Sequence, residues 1–215
     1  MFDTAITSDR VITPDGIRSA TVLIEDGRIA GVSESNPNGN VVDVGDAVLM
    51  AGVVDPHVHI NEPGRTEWEG FDTATKAAIA GGITTVVDMP LNSSPVTTTA
   101  KAFDEKIKAT NGQLHTNCGF WGGIIPGNDK EIIPLIEKGV LGFKAFLTHS
   151  GINEFPNSTE SDLRKAMPLI VKHGLPLLVH CELSSPTVTA SGAKRRHSPS
   201  PRAERSGTTS LYSNY

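Results

Sequence analysis

At 215 residues the chain is long enough for one large core or one and a half domains, and 38% hydrophobic with 20% charged residues suits a water-exposed globular protein. The net charge of −5 hides an asymmetry: residues 1–186 hold 14 basic and 23 acidic residues, net −9, and residues 187–215 hold five basic residues and one acid, net +4. An acidic body argues against nucleic acid as the main partner, and no apolar run approaches the roughly 18 residues of a membrane span. The start, Met1-Phe2-Asp3-Thr4, has no basic segment leading into an apolar one, so no secretory signal is expected. Cys118 and Cys181 form no close-spaced metal or redox motif, which predicts two reduced thiols and a cytoplasmic protein.

Residues 1–50 read as a small β module, expected to be a β-sandwich. Thr21-Val22-Leu23-Ile24-Glu25 and Arg28-Ile29-Ala30-Gly31-Val32 flank Asp26-Gly27, a strong hairpin signal. Asn36-Pro37-Asn38-Gly39-Asn40 is a further turn before the strand at Val41-Val42-Asp43-Val44. Such a module is marginal alone and is expected to pack on something else.

Residues 51–186 alternate strand and helix. Strands are expected at Ala47–Val54, with Met50 to Val54 buried, and at Ile83–Met89, Leu114–Trp121, Leu141–Leu147 and Leu177–Cys181. Helices are expected at Trp68–Ala80, Thr99–Ala109, Asp129–Lys138 and Ser161–His173, mostly stopped by glycine. Pro134 and Pro168 predict that the last two are kinked or start later. Five strands with four intervening helices predict a parallel α/β sheet. An open doubly wound sheet and part of a (β/α)8 barrel both fit, and polar groups at strand C-termini favour the barrel. Residues 187–215 lose all periodicity and read as disordered, with the abrupt change near Thr187 suggesting a frameshifted or truncated copy.

The chemistry-bearing residues cluster at those strand ends. His57 and His59, in Asp55-Pro56-His57-Val58-His59, share one strand face and can hold one ion, or are two partly exposed histidines. Lys144 stands inside the apolar strand Gly142-Phe143-Lys144-Ala145-Phe146-Leu147. It is at an exposed edge, or paired with a carboxylate, or an unprotonated amine able to form a carbamate with carbon dioxide. His180 ends Leu177-Leu178-Val179, with Cys181 on the opposite face and expected to pack. Asp88 ends Val86-Val87 and reads as a cap or as support for the site. His115 is at the wrong end of its strand, His173 suits a helix C-terminus, and His149 is expected in an exposed loop. In a barrel, His57, His59, Lys144 and His180 converge on one cavity, a donor set suited to zinc or other divalent first-row ions and to metal-assisted hydrolysis.

These motifs resemble the amidohydrolase superfamily, in particular its cyclic amidases. Asp55-Pro56-His57-Val58-His59 is shared with dihydroorotases and hydantoinases. The continuation Asn61-Glu62-Pro63-Gly64-Arg65-Thr66-Glu67-Trp68-Glu69-Gly70-Phe71 resembles the allantoinases, since dihydroorotases typically have arginine where this chain has Asn61. Asp88-Met89-Pro90-Leu91-Asn92-Ser93-Ser94-Pro95, Gly142-Phe143-Lys144 and Val179-His180-Cys181-Glu182 match as well, so the resemblance covers residues 1–186. It implies two divalent metal ions, most readily zinc, with cobalt, manganese or iron as alternatives. His57 and His59 would bind the first, a carboxylated Lys144 would bridge both, and His180 would bind the second. Arg65 and Asn92 would contact substrate. The implied reaction is attack of a metal-bridging hydroxide on a ring amide of allantoin, giving allantoate, in a homo-oligomer acting on a small molecule.

The chain also departs from that pattern. The family barrel has eight strands, and five are visible here. A second-metal histidine after the sixth strand and the general acid/base aspartate after the eighth are missing; His197, in Ser/Pro/Arg-rich sequence, is not assigned either role. The expectation for this chain is therefore weak metal retention and little or no turnover. The alternatives are a non-catalytic remnant and another cyclic amidase of hydantoinase, dihydropyrimidinase or dihydroorotase type.

Overall fold

The structure is a computed structural model that describes residues 2–35 and 37–182. The described residues belong to one compact unit. The expectation of disorder over 187–215 lies outside the described residues.

The N-terminal module is one mixed sheet. β1 (Thr4–Thr13) pairs antiparallel with β2 (Gly16–Glu25), and β2 with β3 (Arg28–Ser33), while β4 (Val41–Asp43) and β5 (Val48–Leu49) add to β1 in parallel. The Asp26-Gly27 hairpin forms as expected: both residues have positive φ (50° and 69°), the geometry of a tight turn that matches strand twist. A bulge between Ser8 and Val11 leaves polar backbone to be satisfied, and the Ser8 hydroxyl does so, accepting from Arg10 N–H at 2.9 Å and donating to Ala47 O at 2.6 Å. The β-sandwich expected for this module is not shown: among the described residues it is this single sheet. Ile12, Ile17, Ile29, Val32 and Met50 stay exposed.

The α/β part runs β6 (Val53–Val58), α1 (Phe71–Ala80), β7 (Ile83–Asp88), α2 (Ala100–Ala109), β8 (Asn117–Phe120), β9 (Gly122–Gly123), α3 (Ile132–Lys138), β10 (Phe143–Phe146), α4 (Glu160–Lys172) and β11 (Leu177–His180). All pairings are parallel, in two sets, β6-β7-β8 and β9-β10-β11. Only Trp121 separates β8 from β9, so residues 117–123 form one strand that bends, starting three residues and ending two residues later than the expected Leu114–Trp121. Its first part pairs with β7, Trp121 N–H still reaches Asp88 O at 2.9 Å, and its last part pairs with β10. Glycine at 122 and 123 permits the bend, because a Cβ at 122 would press on Phe143 and one at 123 on Phe155 and Thr98.

Alternation along these strands sorts side chains into two clusters. Phe143 and Ala145 join Phe71, Phe103, Phe120, Ile132, Leu135, Ala166 and Ile170 between sheet and helices. Phe146 joins Val87, Met89, Leu91, Trp121 and Phe155 on the other face. That second cluster is the floor beneath the strand C-termini.

Several boundaries differ from expectation for local reasons. Helix α1 starts at Phe71, after the Gly70 N-cap, with the Glu62 carboxylate accepting from Phe71 N–H at 2.9 Å. A 3₁₀ turn at Asp129–Glu131 precedes α3 and places Pro134 in the first turn, where its missing N–H costs nothing. Helix α4 does not start later: Thr159 and Asp162 form a capping box and the helix runs through Pro168. The apolar run before the histidines is not buried. Val53 is 45% and Val54 56% exposed, because β6 has a strand neighbour on one side only among the described residues.

Candidate active site

His57 lies in β6 and His59 just beyond its end, and their imidazole centroids are 5.3 Å apart. The backbone beneath them is fixed from two strands: Trp121 Nε1 donates to Pro56 O at 2.9 Å, and Asp55 Oδ1 accepts from His57 N–H at 3.1 Å. His180 ends β11, with its ring 4.5 Å from that of Phe146 on the neighbouring strand. Lys144, one register step before Phe146 on the same face, holds its Nζ 4.8 Å from the Phe146 ring centroid. Phe146 is thus the shared floor under Lys144 and His180.

Lys144 is not at an exposed edge: it is 3% exposed, in a strand paired on both sides. It takes part in none of the ion pairs among the described residues. Burial holds its ammonium below the usual lysine value, and the charge of Glu182 only partly opposes that. Burial likewise lowers the titration of His57 and His59. The positive charges of Lys144 and His180 push His57 further down, and those of His57, Lys144, Lys106 and His180 push His59 down. Both effects favour neutral imidazoles at His57 and His59. Among the described residues no three His, Cys, Asp or Glu side chains come together closely enough to hold an ion by themselves; the fourth member here is a lysine.

Arg65 and Asn92 are brought together, but through the backbone. Arg65 Nη1 donates to Asn92 O at 2.9 Å, and Nη2 to Glu154 Oε1 at 2.7 Å, while the guanidinium sits 5.3 Å from the Trp68 ring centroid. Arg65 therefore ties the loops after β6, β7 and β10 into one rim. Asn92 adopts the left-handed conformation, with φ of 76°.

Cys181 is exposed, not packed: it lies one residue past the end of β11. Cys118 is half-buried, and burial pushes its thiol up to about 12. His149 is exposed as expected; His115 bonds Asp72 at 2.8 Å, and His173 caps α4 through Leu169 O at 2.8 Å.

Sequence reasoning missed Lys106. It is 1% exposed and ion-paired with Asp88, which is fully buried. A signal existed: in Ala100-Lys101-Ala102-Phe103-Asp104-Glu105-Lys106, Lys106 falls three and four residues after Phe103 and Ala102, on the apolar face of α2.

The amidohydrolase family profile matches residues 48–204. The chain belongs to the amidohydrolase family. Among curated amidohydrolase relatives, it is 49% identical over 182 residues to the mitochondrial allantoinase of Aquarana catesbeiana, covering 83% of this chain and 38% of that protein. It is 49% identical over 181 residues to an allantoinase of Streptomyces avermitilis, covering 82% and 41%. Among solved structures it resembles the L-hydantoinase of Arthrobacter aurescens, with a TM-score of 0.78 and 33% identity, covering 85% of this chain and 41% of that one. The chain thus spans about two fifths of the length of the amidohydrolases it matches.

Proposed function

We propose that this chain carries the first part of a cyclic-amide hydrolase that opens allantoin to allantoate. The observation that carries the reading is the pair His57 and His59 at the end of one parallel strand and the pair Lys144 and His180 over Phe146 at the ends of two others, in a chain 49% identical to allantoinases.

The donor set fits two divalent ions, zinc first, with cobalt, manganese or iron as alternatives. Neutral imidazoles at His57 and His59, together with the ring of His180, offer nitrogen donors. A buried lysine with a lowered pKa is an amine able to add to carbon dioxide, forming the N–C bond of a carbamate and releasing a proton; the product is an oxygen donor. Bound divalent ions supply acidity to a water and polarise a carbonyl. Phe146 and Trp121 keep water from the lower side of the site, and Arg65 holds three rim loops in register. Arg65 and Asn92 stand as substrate-rim residues. The general acid/base is assigned to no described residue, and for this chain we expect weak metal retention and little turnover.

The finer architecture is part of the same proposal: five strands of a (β/α)8 barrel over 51–186, preceded by a β module over 1–50. So are the small-molecule substrate, the homo-oligomer, the lack of nucleic-acid or membrane partners, and the cytoplasm as compartment. Among the described residues no helix is long and apolar enough to cross a membrane. A second reading, another cyclic amidase, is favoured by the L-hydantoinase likeness. The test is ring opening of allantoin, hydantoin and dihydroorotate by the 215-residue chain with cobalt or zinc and bicarbonate, beside Lys144→Ala. The expected result is weak cobalt uptake that Lys144→Ala loses, with any turnover confined to allantoin. Cobalt uptake untouched by Lys144→Ala would overturn the site, and a preference for hydantoin would replace the substrate. Turnover near an ordinary enzyme's ~10 per second would overturn the expectation of a weak chain.

A further inference from the structure

The backbone around His59 is held at two points, and both lie at the end of β7. Val58 O, on one side of His59, accepts from Met89 N–H at 2.8 Å. Ile60 N–H, on the other side, donates at 2.7 Å to Asp88 Oδ1. Strand β6 ends at Val58, whose register partner is Asp88. The carboxylate therefore extends the ladder by one rung beyond the point where backbone pairing stops. Its other oxygen accepts from Lys106 Nζ, which also donates to Met89 O at 3.4 Å.

The pair is expensive to bury. Asp88 and Lys106 have side chains 0% and 1% exposed, and a buried ion pair generally stabilises no better than an apolar pair of the same volume. Every group in it nevertheless has a partner: Asp88 has Ile60 and Lys106, and Lys106 has Asp88 and Met89. What an apolar pair could not do is accept from Ile60 N–H.

We propose that Asp88 is a positioning residue for His59 through the acceptor it offers Ile60 N–H, with Lys106 balancing its buried charge, and that this acceptor sets the affinity of the His57–His59 arm for a divalent ion. It rests on the reading of His59 as a metal ligand.

The experiment uses the full chain, labelled with ¹⁵N, in two readouts: metal-free amide exchange at Ile60 against amides of α4, and titration with cobalt alone followed by visible absorption. Asp88→Ala is expected to speed Ile60 exchange roughly tenfold while α4 is unchanged. It should also weaken cobalt binding about tenfold or more, with an altered spectrum. The double variant Asp88→Asn with Lys106→Met removes both charges and keeps an acceptor for Ile60, and is expected to retain protection and cobalt binding. Unchanged Ile60 exchange in Asp88→Ala, or unchanged cobalt binding despite faster exchange, would overturn the proposal. If Asp88→Ala does not fold, the double variant decides: loss of Ile60 protection or of cobalt binding there overturns it. A parent chain that takes up no cobalt overturns the metal reading and the acceptor's role in affinity, while the Ile60 contrast still decides whether Asp88 holds the backbone.

Discussion

Strands β6 and β10 each carry a proposed ligand, yet all four residues of β10 are buried and none of the six in β6 is. The difference is one of neighbours. β10 lies between β9 and β11, with Phe143 and Ala145 packed into the helix-side cluster; β6 has β7 alone among the described residues. The lesson concerns chemistry as much as stability. Burial disfavours the ammonium of Lys144, the side chain of a strand paired on both sides, whereas His57 stands on an exposed strand.

Truncating each strand should break the symmetry most visibly. Phe143 is fully buried, and Phe143→Ala is expected to destabilise the chain by about 3–5 kcal/mol. Val54→Ala on β6 should cost under about 0.5 kcal/mol, because Val54 is already more than half exposed. Urea unfolding measures both. Equal costs would mean that β6 is covered in solution.

Lys144→Met sharpens the same contrast at the site. The side chain is buried without an ion-pair partner among the described residues, so an apolar replacement of similar length removes a desolvation cost. Stability is expected to stay level or rise by about 1 kcal/mol while cobalt uptake in bicarbonate disappears, the exchange of stability for function seen at many sites. A large fall in stability would show that Lys144 serves the fold instead. The corresponding change on β6, His57→Gln, is expected to leave unfolding unchanged within about 0.5 kcal/mol, since that residue is exposed.

What was legible in the sequence follows the same division. Lys144 and His180 were readable because an ionisable residue in an apolar strand is a local anomaly, and Asp26-Gly27 because a turn is decided by two residues. The exposure of Val53 and Val54 was not readable: an apolar run looks the same whether or not a second strand arrives beside it. The break at Trp121 depends on which neighbour each end of residues 117–123 meets. Asp88 and Lys106 are 18 residues apart and joined only by the fold, so Asp88 reads as either a cap or support for the site, and nothing in the sequence pairs it with Lys106. Arg65 stood out by motif, but its bonds to Asn92 O and Glu154 need three loops to meet.

The smallest effect separates the helices that follow the two strands. Helix α1, after β6, starts at Gly70 with no side-chain cap from that residue, whereas α4, after β10, starts with a reciprocal capping box. In that box Thr159 N–H and hydroxyl donate to Asp162 Oδ2 at 2.9 and 2.6 Å. Those bonds, the hydroxyl's first, hold the Asp162 carboxyl below its ordinary value. A carboxylate favoured in the folded state contributes stability above its unfolded pKa of about 3.9 and loses it as pH falls through the lower folded value. Thr159→Ala should therefore cost about 1 kcal/mol at pH 7. The gap between variant and parent should hold down to about pH 4 and narrow below it. Thermal unfolding from pH 7 to pH 3 measures this, and a gap that widened on acidification would mean that the box is not what holds the start of α4.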